Sequence, residues 1–116
     1  MRLLPLMIAF SLVAASPSVT ATGEPAIKVY KSRGSVQCEP ASGRPPEVMR
    51  KELDQAGIVV DSAACGIDGK MYQSLCGSPD GSINIFVIPL RKAAQAARLG
   101  FAGLDGLPDA RQVECQ

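Results

Sequence analysis

From residue 26 onward the chain alternates between the two hydrophobic periods of secondary structure. Ile27-Lys28-Val29-Tyr30-Lys31 places apolar and polar residues in turn, the period of a half-buried strand. Ser32-Arg33-Gly34-Ser35 breaks that pattern. Pro40, Gly43, Pro45 and Pro46 then exclude regular structure from Cys38 to Pro46 and predict a long surface loop. Proline is favoured just inside a helix start, so Pro46-Glu47 opens a helix. Met49, Leu53 and Ala56 recur on its inner face, Glu47 precedes Lys51 by one turn on the outer face, and Gly57 stops it.

Ile58-Val59-Val60 is β-branched throughout, which predicts a strand running on towards Cys65. Asp68-Gly69 and Ser78-Pro79-Asp80-Gly81 are turn sequences, with Lys70-Met71-Tyr72 between them as a short strand. The segment from Ser82 to Ile88 alternates in its first half and is apolar on both faces in its second, the pattern of a central strand. Pro89 begins a second helix with Leu90, Ala94 and Ala97 turned inward and Arg91, Lys92 and Arg98 outward. Gly100 ends it, and Phe101 folds back on its last turn. Ala102 to Gln116, interrupted by Gly103, Gly106 and Pro108, reads as an extended tail. This order predicts an α+β fold, a small and mainly antiparallel sheet with two helices on one face. With three Phe, two Tyr and no Trp, the core is chiefly aliphatic, and Tyr30, Phe86 and Phe101 are its largest expected members.

The first residues change the picture of where the protein works. Met1-Arg2 is followed by an uncharged, mostly apolar run from Leu3 to Ala15 and then by small residues ending in Val19-Thr20-Ala21. That is the order of a secretory signal peptide at residues 1–21, cut after Ala21 or alternatively after Ala15. Residues 22–116 then form one small exported domain, periplasmic or secreted, without a membrane anchor after cleavage. Four cysteines, Cys38, Cys65, Cys76 and Cys115, all lie in that part, and an even number in a small exported domain reads as two disulfides. Three pairings are open.

Composition removes several functions. The chain has 12 basic and 11 acidic residues, a net charge of +1 and no His. The commonest general base and metal ligand are therefore missing, and nothing in the charge points to nucleic acid. No Cys-x-x-Cys pair supports a metal site, and no cofactor is expected. Ser35, Ser42, Ser62, Ser74, Ser78 and Ser82 have no His to activate them. Asp61, Asp68 and Asp80 are expected near one end of the sheet, where turn aspartates ordinarily bond their own backbone.

The segment Cys65-Gly66-Ile67-Asp68-Gly69-Lys70-Met71-Tyr72-Gln73-Ser74-Leu75-Cys76 resembles the central motif of Kazal-type serine protease inhibitors, Cys-Gly-x-Asp-Gly-Lys-x-Tyr-x-x-x-Cys. The resemblance covers these twelve residues; the family has six cysteines and this chain four. It implies a small hairpin closed at Asp68-Gly69 with Tyr72 packed on it, and it favours Cys38–Cys76 with Cys65–Cys115. That pairing also ties the first long loop to the turn before the central strand and fixes the tail. The stretch from Lys28-Val29-Tyr30 through Cys38 to Ala56-Gly57-Ile58 is similar to the opening of glutaredoxin-like domains, which implies thiol redox chemistry, although the family's second active-site cysteine is missing.

The reading that follows is an exported, non-catalytic domain that binds a protein in the periplasm or outside the cell, a hydrolase to be inhibited or another envelope component. Its alternative is a small thiol-redox protein or other minor enzyme. Candidate partner-binding residues are Glu39 and Arg44 in the first loop and Asp68, Lys70, Tyr72 and Asp80 in the turn-rich segment, because loops on a cross-linked scaffold carry recognition.

Overall fold

The alternation at Ile27–Lys31 becomes strand β1 (Ala26–Ser32), and the proline-opened segment becomes helix α1 (Pro46–Gln55). Strand β2 (Ser62–Ile67), strand β3 (Ser82–Pro89), helix α2 (Ala93–Arg98), strand β4 (Ala102–Gly103) and strand β5 (Arg111–Val113) follow. The computed structural model describes residues 2–5, 9, 11–13, 23–39 and 41–116. Most of the expected signal peptide and both of its candidate cleavage sites lie outside the described residues. Among the described residues, no helix is long and apolar enough to cross a membrane.

The strands form one sheet in the order β4-β1-β3-β2-β5, antiparallel at every step. β3 is central, as its two apolar faces predict. Val29 stands opposite Phe86 on β1, and Gly66 stands opposite Ile83 on β2. Val29, Phe86 and Ile88 face the helices and meet Met49 and Leu53 of α1, Ala96 of α2, and Ile58, Val60 and Phe101. The other face carries Tyr30, Ala64, Ile83 and Ile85, covered by Leu104, Leu107 and Ala110. The fold is the expected disulfide-stapled α+β domain with both helices on one face.

Both helices end in the same way. Gly57 and Gly100 take positive φ (74° and 92°), and the next residue returns its amide to the carbonyl five residues back. Ile58 bonds Leu53 and Phe101 bonds Ala96, each at 3.0 Å, so a buried apolar residue follows each glycine. Phe101 meets Phe86 edge-on, with ring centroids 5.7 Å apart, an arrangement contributing about 0.5–1.5 kcal/mol beyond burial.

Four local expectations are corrected. Ile58–Val60 forms no ladder; Ile58 and Val60 are buried, Val59 is exposed, and pairing starts at Ser62. In α2 the inward residue is Ala96, whereas Leu90, Ala94 and Ala97 are exposed. The first turn, Leu90–Lys92, is a 3-10 turn, and its three residues per turn shift the phase of everything after it. Lys70–Tyr72 is not a strand, and no hairpin lies within Cys65–Cys76; β2 runs straight through Cys65 to Ile67 and pairs with β3. The tail is not loose: β4 joins β1, β5 joins β2, and Leu104–Gly106 makes a 3-10 turn over the sheet.

Candidate functional site

The β2–β3 connection is the longest irregular excursion after α1. It leaves the sheet at Asp68 and returns at Gly81, where the Asp68 amide donates to the Gly81 carbonyl at 2.9 Å. Beyond that neck, one buried carboxylate organises the tip. Asp68 is 8% exposed; its Oδ1 accepts from the Lys70 amide at 2.9 Å, and its Oδ2 accepts from the Tyr72 hydroxyl. A buried carboxylate requires such partners. The hydrogen bond to Asp68, with burial and the carboxylate's charge behind it, pushes the Tyr72 phenol up to about 12. Residues 70 and 72 are thereby held, and Met71 between them is 98% exposed.

Gly69 supplies the tight approach at the base of the tip. Its φ is +75°, and a Cβ there would stand 2.3 Å from the Asp109 carbonyl oxygen, so the loop lies against the segment before β5. The returning limb is held by the first loop. Gln37 donates from Nε2 to the carbonyls of Gln73 (2.6 Å) and Pro79 (3.2 Å), and its Oε1 accepts from the Leu75 amide (3.1 Å). Its own amide donates to Ser78, and its carbonyl accepts from Gly77. Next to it the Cys38–Cys76 disulfide joins the two loops. Cys38 has φ 71°, a left-handed conformation few non-glycine residues take.

The second bridge, Cys65–Cys115, ties β2 to the residue pair beyond β5. Both disulfides match the pairing that the motif favours, and no cysteine is free among the described residues. Disulfides persist in non-reducing surroundings. Between the bridges runs a groove of about 830 Å³ lined by Arg33, Ser35, Ser42, Asp80, Arg111 and Glu114. Its charges are mixed. Ser35 Oγ donates to Asp80 Oδ1 at 2.8 Å, and the Ser82 amide donates to the same oxygen at 2.9 Å. Burial opposes the Asp80 charge, but these donors and the nearby Arg33 outweigh it and hold the carboxyl below its ordinary range. A carboxylate so stabilised is a weak base for Ser35. Among the described residues, no three His, Cys, Asp or Glu side chains converge as a metal site.

Most of the candidate partner-binding residues serve the scaffold. Asp68 and Tyr72 bond each other, Asp80 bonds Ser35, and the Arg44 guanidinium bonds Glu52 at 2.7 Å. Glu52 also takes Lys31 at 3.1 Å. Lys70 stands exposed at the tip, and Glu39 is exposed beside Cys38. Asp61 lies before β2 and Asp68 after it, so the three aspartates do not gather at one end of the sheet; only Asp68 and Asp80 do, around one hollow. Sequence reading missed Gln37, which carries no motif, and Met71, which it placed in a strand.

Comparison with family models, with curated proteins and with solved structures gives no match.

Proposed function

We propose that the chain is an exported, non-catalytic binding domain that engages a protein partner through the tip of the Asp68–Gly81 loop. The observation that carries this reading is Met71, almost fully exposed between two residues pinned to a buried carboxylate. A large apolar side chain presented in this way is costly to leave in water and favourable to bury in a partner. The loop is also ordered before it binds, so association loses little further conformational entropy. Two disulfides and the signal-like start support a periplasmic or extracellular location. The partner classes are a hydrolase or another component of the cell envelope.

Weighing against the thiol-redox alternative, Cys38 sits in a loop ahead of α1 and is bonded to Cys76; redox thiols are usually activated at a helix start. The absence of His from the sequence weighs against hydrolytic chemistry of its own.

A photo-crosslinking residue at Met71, compared with one at Lys51 on the outer side of α1, tests the reading in a periplasmic extract or culture medium. One identified protein joined from position 71 and not from 51, with competition by the unlabelled domain, is the expected result. Capture from position 51 alone, or equal capture from both, would overturn it.

A further inference from the structure

The two bridges have similar sequence separations, 38 for Cys38–Cys76 and 50 for Cys65–Cys115. Loop-closure entropy grows only with the logarithm of that length, so it barely distinguishes them. Their surroundings do. Cys38 and Cys76 are both exposed, and both lie in loops outside the strands. Cys65 is 3% exposed, paired on β2 between Asn84 of β3 and Val113 of β5, while its partner Cys115 is exposed.

Cys38 also holds a backbone conformation that belongs to glycine. The Glu39 amide donates to the Val36 carbonyl at 3.3 Å, closing a turn in which Cys38 stands third with φ 71°. Positive φ at that position ordinarily calls for glycine or asparagine. Among the described residues Cys38 is the one non-glycine residue at positive φ. Such strain persists only where surrounding contacts impose it, and the tether to Cys76 is one of those contacts. We infer that Cys38–Cys76 is a site of reversible thiol–disulfide exchange with a dithiol oxidoreductase. It opens while Cys65–Cys115 stays closed and the sheet stays folded, and its opening releases the returning limb of the Asp68–Gly81 loop. The chemistry is independent of what the loop binds; its consequence for a partner rests on the loop being the binding surface.

The exchange runs in two steps. A thiolate of the reductant attacks one sulfur of Cys38–Cys76; a mixed disulfide forms, the bridge breaks, and the other cysteine leaves as a thiolate and takes a proton. The second reductant thiolate then attacks the mixed disulfide, closes the reductant's own disulfide and frees the remaining cysteine. Two electrons and two protons pass from the dithiol to Cys38 and Cys76. Either sulfur of this bridge leaves into water, and departure lets Cys38 abandon its strained turn. The other bridge resists both approaches. Attack at Cys115 would expel Cys65 as a charge where water hardly reaches it, and attack at Cys65 requires β5 to leave the sheet. Exposed or strained bridges are accordingly the labile ones. Once Cys38–Cys76 is open, the limb depends chiefly on the exposed hydrogen bonds of Gln37 to Gln73, Leu75 and Pro79, for which water competes.

The test is timed reduction of the oxidised protein, expressed as the full chain in a secretion-competent bacterium, with dithiothreitol and separately with reduced thioredoxin at neutral pH. Acid quenching, alkylation and peptide mapping give the order in which the four cysteines label. Cys38 and Cys76 should label together, about tenfold or more faster than Cys65 and Cys115. In the singly reduced protein, amide exchange at Leu75 and Gly77, whose amides donate to Gln37, should rise about tenfold or more while β2 and β3 keep their protection. Oxidised glutathione should then restore both the bridge and the protection. Simultaneous labelling of all four cysteines, or earlier labelling of Cys65 and Cys115, overturns the inference. So does selective opening that leaves Leu75 and Gly77 protected, or reduction that begins only once the domain unfolds. Opening by dithiothreitol that thioredoxin cannot reproduce overturns the assignment of a protein reductant. Absence of any crosslink from position 71 removes the binding-loop reading, and this inference then stands on labelling and exchange.

Discussion

The side-chain amide of Gln37 donates to the carbonyl of Gln73 across 2.6 Å, joining two loops that are 36 residues apart in sequence. With its other contacts to Leu75 and Pro79, this one side chain supplies to the returning limb the hydrogen bonds that a neighbouring strand would otherwise provide. The disulfide beside it prevents separation of the loops, and Gln37 sets how they lie against each other.

Replacing Gln37 should therefore loosen the loop more than it destabilises the domain. Gln37→Ala is expected to lower global stability by about 0.5–1.5 kcal/mol. Amide exchange at Leu75 and Gly77 should accelerate well beyond what that loss explains. Hydrogen exchange read beside urea unfolding checks both; unchanged protection at Leu75 would contradict the clamp.

Asn84 is fully buried on the helix-facing side of β3. Its Nδ2 donates to the Arg44 carbonyl at 2.8 Å and approaches the Met49 sulfur at 3.3 Å, while Oδ1 has no partner. Asn84→Ala should cost about 2–4 kcal/mol, combining a cavity with an unpaired Arg44 carbonyl. Asn84→Leu removes the unpartnered oxygen and fills the space, so it should cost less. Urea midpoints rank the two variants, and the reverse order would refute the account.

The Tyr72 phenol gives an alkaline signature. Its folded value of about 12 lies above the ordinary 10.0. The protonated phenol is thus favoured in the fold, and its contribution is complete below pH 10 and lost as pH rises towards 12. The ultraviolet titration of the protein's two tyrosines should show one ionising late, and Tyr72→Phe should abolish that late step and the matching fall in stability. On the acid side, burial works against the Glu52 charge, but Arg44 and Lys31 outweigh it and hold the carboxyl below its ordinary range. Its contribution is present above that ordinary range and lost as pH falls through the lowered value. Glu52→Gln should flatten the acid limb of the stability profile.

The two glycines against the last segment make a matched pair. A Cβ at Gly66 would stand 2.6 Å from Ile85 Cδ1 and 2.9 Å from the Arg111 carbonyl, and one at Gly69 would strike the Asp109 backbone. Gly66→Ala and Gly69→Ala should each destabilise the domain by about 1–3 kcal/mol through overpacking. Gly66→Ala should release exchange protection over Arg111–Val113, and Gly69→Ala should displace the tip.

What was legible in the sequence was what local chemistry decides. Pro46, Met49, Leu53 and Gly57 mark α1 from cap to cap, and the doubly apolar run at Phe86–Ile88 marks a central strand. Ile58–Val60 misled because β-propensity reports a half-buried surface, and burial alone satisfied it: Ile58 closes the helix end and Val60 sinks under α1. The phase of α2 depended on a 3-10 turn that Pro89 does not announce. At the loop, Asp68 and Tyr72 were visible as residues but not as each other's partners. Gln37 had no signal at all, since its importance comes from where the Cys38 loop lies in space.

The sheet's outermost members are also its shortest, two residues in β4 and three in β5. β4 covers Val29 and Tyr30, in the middle of β1, and β5 covers Cys65 to Ile67, the far half of β2. Each long inner strand therefore has its outward row of amides and carbonyls interrupted. At most three consecutive residues are left open, at Ala26–Lys28 and Ser62–Ala64. A second copy seeking to extend the sheet finds no run long enough to register against. Concentrated solutions of the folded domain should resist fibril formation for that reason, and seeding should require prior unfolding.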